Sequence, residues 1–349
     1  MADVWLDFPS GSPGLYGTNT ALMSNGVYSV VGIELQEDPD PNVTGIVIRI
    51  GAGSQDSTDL RKILPTTQDK VGVAFRLWQN SLDQQGWGLC FNKNDASRQI
   101  SITSNSSGQL IVKQGSPRSG TVLATSPLNT IVANAWQNIE FMCESFATGG
   151  TVRVQVEGIP VDELTLDGVA TGGPYSQVEY THTGNFSGAL AWVKDLRIWD
   201  GSGGWGTGFP GTTQVVDLGP TGDVSTGWSR TGGASDAGIL DNTPPVDTQF
   251  ISADNPPPAP SIVTLADLPI NVTSVRSVMP ILRGKKSDGG DGNIQMSLIN
   301  GGNNAYGADR PMTTAFTYWW DIMHLDPATG NQYTPAGLDT TTLQFNRTI

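Results

Sequence analysis

From Thr151 to Glu157 the chain reads TVRVQVE, with Val152, Val154 and Val156 alternating against Arg153, Gln155 and Glu157. A strict period of two is unreadable as a helix. It specifies a strand with one dry and one wet face, and such a strand needs partner strands and a second layer to cover it. Val71 to Trp78 repeats the pattern, with Val71, Val73, Phe75 and Leu77 on one face and Gly72, Ala74, Arg76 and Trp78 on the other. Short β-branched runs at Val27–Leu35, Gly45–Ile50, Arg98–Thr103, Gln109–Lys113 and Trp136–Ser145 are separated by turn clusters such as SNSSG. Only 15% of the 349 residues are charged, 43 are Gly and 22 Pro, and no long helical pattern occurs, so the expected class is all-β.

The stretch Gly184–Gly201 (GNFSGALAWVKDLRIWDG) is expected to close the first domain. Alternation there assigns Trp192, Leu196 and Ile198 to one face, interrupted by Lys194, and Ala191, Val193, Asp195, Arg197 and Trp199 to the other. Six glycines follow within residues 201–211, a composition that builds no core. The reading is two β-sandwich or jelly-roll domains: 1–200, a Gly-rich hinge at 201–211, and 212–349 with a Pro-rich arm at Asp254–Ser261. In the second domain, Ser274–Lys286 and Asn293–Asn300 are expected to pair as a hairpin across SDGGDG. Met312–Leu325 is expected as an aromatic strand or strand pair, followed by a short helix near Leu338 and a last strand at Leu343–Thr348.

The net charge is −14. Acidic residues number 20 and basic ones 12 in 1–200, then 13 and 7 in 201–349. Neither half has the basic patch that neutralises phosphates, so nucleic acid is not an expected partner. No run of about 18 apolar residues is present, which argues against a membrane-spanning helix. MADVWLDFPSGSPG has neither the basic nor the apolar region of a signal peptide, and none is expected. Cys90 and Cys143 lie in apolar, strand-like settings and read as two buried free thiols or as a single cross-sheet bridge.

No catalytic constellation emerges. Glu34, Glu37 and Asp38 are wrongly spaced for a glycosidase pair, and Glu163 and Asp167, four apart on one expected strand, are too distant. His182 and His324 fall in different domains, which leaves no triad or His-rich metal site. The expectation is therefore no enzyme, no catalytic residue, no cofactor and no metal. Calcium alone has candidate oxygens, from Asp288, Asp291 and Asn293 or from Glu37, Asp38, Asp40 and Asn42, at spacings unlike an EF-hand loop. Of the ten tryptophans, Trp78 and Trp87 are candidates for stacking on sugar rings. Trp319 and Trp320, adjacent and so on opposite faces, are candidates for an exposed or intersubunit contact.

The order of a Trp-led strand (AWQNIEFMCES), a strand ending in Gly (TVRVQVEG) and a closing DLRIWDG resembles concanavalin A-like jelly rolls of the laminin-G and pentraxin type. The second half carries VVDLGPTGD (215–223), a W…LDN-x-PPVDT-x-F segment (228–250), ADLP (266–269), VMPILRGKKSDGG (278–290) and YWWDIMHLDPATGNQYT (318–334). This series resembles a block of tailed-bacteriophage virion proteins. The resemblance implies a non-enzymatic structural protein of the virion, assembled in the host cytoplasm and carried as a tail appendage or minor tail component, fibre-like and facing the host surface. A capsid decoration protein, or a carbohydrate-binding lectin module for host attachment, are the alternatives. The partners it implies are other virion proteins, a host-surface glycan and further copies of the chain. A trimer is favoured because the second domain is short, rich in aromatics at FTYWW and carries an extended proline arm.

Overall fold

The structure, a computed structural model, describes residues 3–7, 27–30, 33–41, 46–50, 59–82, 87–93, 97–144, 149–181, 190–200, 208–241, 246–253, 259–287 and 289–348. These form several antiparallel sheets and two short α-helices, Asp236–Leu240 and Pro335–Asp339. Two compact units result, with the boundary between Val215 and Val216. Most of the expected hinge (201–207), most of the proline arm (254–258), Asn42, His182 and Asp288 lie outside the described residues.

The first unit is a sandwich. Its nine-stranded sheet runs in the order 159–160, 150–156, 137–144, 70–79, 191–199, 46–50, 33–37, with 3–7 beside 191–199 and 166–169 beside 150–156. The facing sheet has seven strands in the order 121–125, 110–114, 98–104, 88–92, 175–181, 59–68, 27–30. The alternating valines do what their period requires. Val152, Val154 and Val156 are buried while Thr151, Arg153 and Gln155 are half-buried. Between the sheets Phe75 meets Tyr180 edge-on at 5.2 Å, and Phe91 stacks on Phe141 at 4.9 Å, geometries that add to plain area burial.

The closing strand departs from simple alternation. All nine residues of Ala191–Trp199 are buried, and Asp195 sits at φ +54°, where the register against 70–79 slips between Lys194 and Arg197. One extra residue exchanges the faces of everything after it. Val193 opposite Leu77 and Ile198 opposite Val73 therefore both face the core. Trp192, Lys194, Arg197 and Trp199, opposite Trp78, Arg76, Ala74 and Gly72, share the outer face. The expected grouping of Trp192 with Ile198, and of Val193 with Arg197 and Trp199, is corrected by this bulge. Gly72 is required at its position, because a Cβ there would lie 2.1 Å from the Trp199 indole.

That outer face is covered rather than wet. Phe209 packs edge-on to Trp199 at 6.4 Å. The backbone N–H of Gly211 donates to Glu140 at 2.9 Å, and that of Val215 to Asp195 at 3.2 Å. Burial raises the Asp195 pKa, opposed by Arg197, the Val215 N–H, Arg76 and Lys194.

The second unit is built on a six-stranded sheet in the order 220–226, 261–265, 342–348, 293–300, 303–306, with 310–311 beside 293–300. Val263, Ile294, Met296, Leu298, Leu343 and Phe345 of that sheet form a core with Trp319, Met323, Tyr333 and Leu338. Asn293–Asn300 does not pair with 274–286 as expected. It pairs with Asn303–Tyr306 through Gly301 and Gly302, at φ +55° and +78°, and these glycines supply the positive φ values that a two-residue hairpin turn demands. Ile281–Gly284 pairs instead with Thr317–Trp320, the only strand within 312–325. The expected helix near Leu338 is Pro335–Asp339, capped by Thr334. The helix Asp236–Leu240 follows Ser235, whose hydroxyl accepts from Gly238 N–H.

Candidate functional site

On the outer face of the nine-stranded sheet, Trp78 and Trp192 stand opposite one another in register and pack with Val47. Trp136, at the turn into 137–144, leans on Trp78 with ring centroids 5.9 Å apart. Beside them Lys194 Nζ lies 4.0 Å from the Trp136 ring and 2.6 Å from Asp38 Oδ2. Asp38 Oδ1 accepts from Trp136 Nε1 and from the Asp40 N–H, both at 2.9 Å. The carboxylate has no exposed surface and the lysine almost none. Trp136 is half-buried and is the one ring of the three that offers an aromatic surface to solvent, next to a fixed cation.

Of the candidate aromatics, Trp78 is part of this patch and is 9% exposed. Trp87 is fully enclosed between the sheets, edge-on to Phe75 at 5.6 Å, and has no ring face for a ligand. Trp319 points into the core of the second unit, whereas Trp320 is half-buried opposite Ile281. The structure thus separates the four. Trp136, Trp192, Lys194 and Asp38 went unrecognised as a group because they come from separate segments. Their one local signal was Lys194 breaking an apolar strand face.

A second buried carboxylate, Glu179, lies on the outer face of the seven-stranded sheet. It accepts from Asn92 Nδ2 at 2.5 Å, from Arg98 Nε at 3.1 Å and from Arg61 Nη2 at 3.3 Å. Two guanidiniums and an amide thus engage its oxygens. Glu163 and Asp167 do not share a strand. Glu163 is in the 3-10 turn Asp162–Leu164, and Asp167 is in the following strand, 2.5 Å from Arg153 Nη2. Among the described residues no group of three or more His, Cys, Asp or Glu could hold a metal ion. Asp38, one of the calcium candidates, has both oxygens engaged as above, and Asn293 donates to Asp309. Among the described residues no helix is long and apolar enough to cross a membrane.

Cys90 and Cys143 are both buried and are not joined in a disulfide. Cys143 faces the core, where its Sγ is 2.9 Å from Tyr175 Oη, while Cys90, opposite Glu179 in register, is on the outer face of the other sheet. Burial pushes the Cys143 thiol up to about 12, against weaker help from Tyr175 and Thr171, and burial raises Tyr175 as well. Between pH about 9 and 12 the unfolded chain loses the thiol proton and the folded chain keeps it. Stability therefore falls as pH rises through that window. Urea midpoints of the first unit should drop between pH 8.5 and 10.5, and a flat midpoint would contradict this account of Cys143.

No family model matches the sequence, and no curated protein matches it. Solved structures with similar folds include a sialidase (11% identity, 57% of this chain, TM-score 0.40), only 19% of whose own chain is spanned. Others are the carbohydrate binding module CBM66 from Bacillus subtilis (12% identity, 49% of this chain and 97% of that one, TM-score 0.32) and a tetrameric galectin from the ball sponge Cinachyrella sp. (14% identity, 40% and 99%, TM-score 0.29). Such distant likenesses assign no function. The class that the fold itself defines is an all-β protein of antiparallel sandwich architecture.

Proposed function

We propose that this chain is a non-enzymatic structural protein of a tailed-phage virion, a tail appendage or minor tail component present in repeated copies. The observation that carries the reading is how the signature residues of the second unit are used. Asp223 of VVDLGPTGD accepts from Arg230, from the Asp236 N–H and from the Ala237 N–H, at 2.7, 3.1 and 2.8 Å. Asp236 is buried and takes Arg230 Nε at 2.5 Å together with Ser261 Oγ. Asp326 of HLDPATG holds Asn300 and its own turn at Ala328. The Leu268 N–H of ADLP is held by Asp339 at 2.9 Å. Asp223, Asp236 and Asp326 are thus engaged in holding a turn, a helix start and an arginine contact, the use a scaffold makes of its carboxylates.

The test is to tag the chain, purify particles and image them. Label at the tail supports the proposal, label over the head moves it to capsid decoration, and particles lacking the chain overturn it. A second reading, glycan binding during host attachment, is favoured by one feature, the half-exposed Trp136 beside Lys194. A glycan array read with wild type and Trp136→Ala decides it. Binding that the substitution leaves untouched, or no binding by the wild type, removes that reading.

A further inference from the structure

Two rows of side chains cross the outer face of the seven-stranded sheet. In one, Gln177 stands opposite Asn92, and Asn92 opposite Arg98. In the other, two residues along, Arg61 stands opposite Glu179, and Ser101 lies in the same row. Together they cover about 14 Å across four strands and about 7 Å along them.

The polar atoms of this patch do not balance. Glu179 is well supplied with donors, by Arg61, Arg98 and Asn92. Because Asn92 Nδ2 makes one of those bonds, the amide orientation is fixed and its Oδ1 is turned away from the carboxylate. Asn92 Oδ1, Gln177 Oε1 and Ser101 Oγ have no hydrogen-bond partner. Asn92 and Ser101 are nevertheless fully buried, and Gln177 is 8% exposed. Buried acceptors in folded proteins are almost always paired, so three unpaired ones in a single patch point to donors that arrive from outside the chain.

The guanidiniums beside them reach solvent. The Arg61 and Arg98 side chains are 25% and 30% exposed. Each guanidinium carries five N–H donors, more than its contacts with Glu179 use. Two such charges around one carboxylate leave a local excess of one positive charge, in a chain that carries −14 in total.

We infer that this patch binds a sugar acid, a pyranose bearing one carboxylate. Its hydroxyls donate to Asn92 Oδ1 and Gln177 Oε1, and its carboxylate accepts from the guanidiniums of Arg61 and Arg98. The donor and acceptor count selects this class. Acetate or sulfate has no hydroxyl to give the amide oxygens, and a neutral hexose leaves the positive charge unanswered. The patch lies on a different sheet from Trp136, so it depends neither on that second reading nor on the virion assignment.

Saturation-transfer NMR on the full chain at pH 7 tests this, with D-glucuronate, D-galacturonate and D-mannuronate each set against its parent hexose. At least one acid should bind with a Kd on the order of 1 mM, and its hexose about tenfold more weakly or worse. Gln177→Leu removes one unpaired acceptor and keeps both arginines and the glutamate, so it should weaken the acid about tenfold without lowering the urea midpoint. Should that variant fail to fold, wild type alone decides. The acid must then raise the urea midpoint more than equal concentrations of its hexose or of acetate do. Binding of none of the three acids, equal binding of the hexose or of acetate, or undiminished binding by a folded Gln177→Leu would each overturn the inference.

Discussion

Val154→Asp should unfold the first unit. Val154 is 1% exposed, lies opposite Phe141 in register and faces the space between the sheets. An aspartate there has no cation or donor within the apolar layer. The cost is about 4 kcal/mol or more, a large share of the 5–15 kcal/mol that holds a typical domain together. Loss of near-ultraviolet circular dichroism and of a cooperative urea transition would report it. The neighbour Arg153 gives the contrast. Its guanidinium donates to Val152 O and Leu166 O and pairs with Asp167, whose side chain is 70% exposed. Arg153→Asp should therefore cost about 1 kcal/mol, more than a bare surface position and far less than Val154→Asp. Equal effects at the two positions would show that the strand is covered on both sides.

Asp38→Ala should be nearly as severe, for a different reason. It strands the Lys194 ammonium, whose side chain is 2% exposed, against the Trp136 ring. Removing one member of a buried pair costs about 3–5 kcal/mol, because the remaining charge stays desolvated. Lys194→Met added to Asp38→Ala should recover most of that loss, since an apolar side chain of similar length removes the stranded charge. Urea denaturation of the four proteins in a double-mutant cycle gives the coupling. Additive costs would show that water already reaches the pair.

Much of this was legible because it is local. The valines of 151–157 announce a half-buried strand by themselves, and the structure buries those three and leaves their neighbours half-exposed. The helix at Pro335–Asp339 was foreseeable from a short stretch beside a turn. In the second unit the turn glycines Gly301 and Gly302 were equally local, yet attention to SDGGDG assigned the hairpin to the wrong side of Asn293–Asn300. That error arose because two glycine-rich turns compete for one strand, and only pairing partners decide between them.

The candidate patch was hidden for a deeper reason. Asp38, Trp136 and Lys194 are separated by 98 and 58 residues, and nothing in a linear pattern scores their approach. Period and composition determined by themselves that the chain is β, that it is layered, and which side of a regular strand is dry, since these follow from backbone geometry and the cost of wetting apolar groups. Tertiary structure alone decided the bulge at Asp195, the exchange of faces that follows it and the covering of the outer face by Phe209 to Val215. Those depend on which strands are neighbours, and a one-residue slip between neighbours costs little locally while redirecting every side chain beyond it.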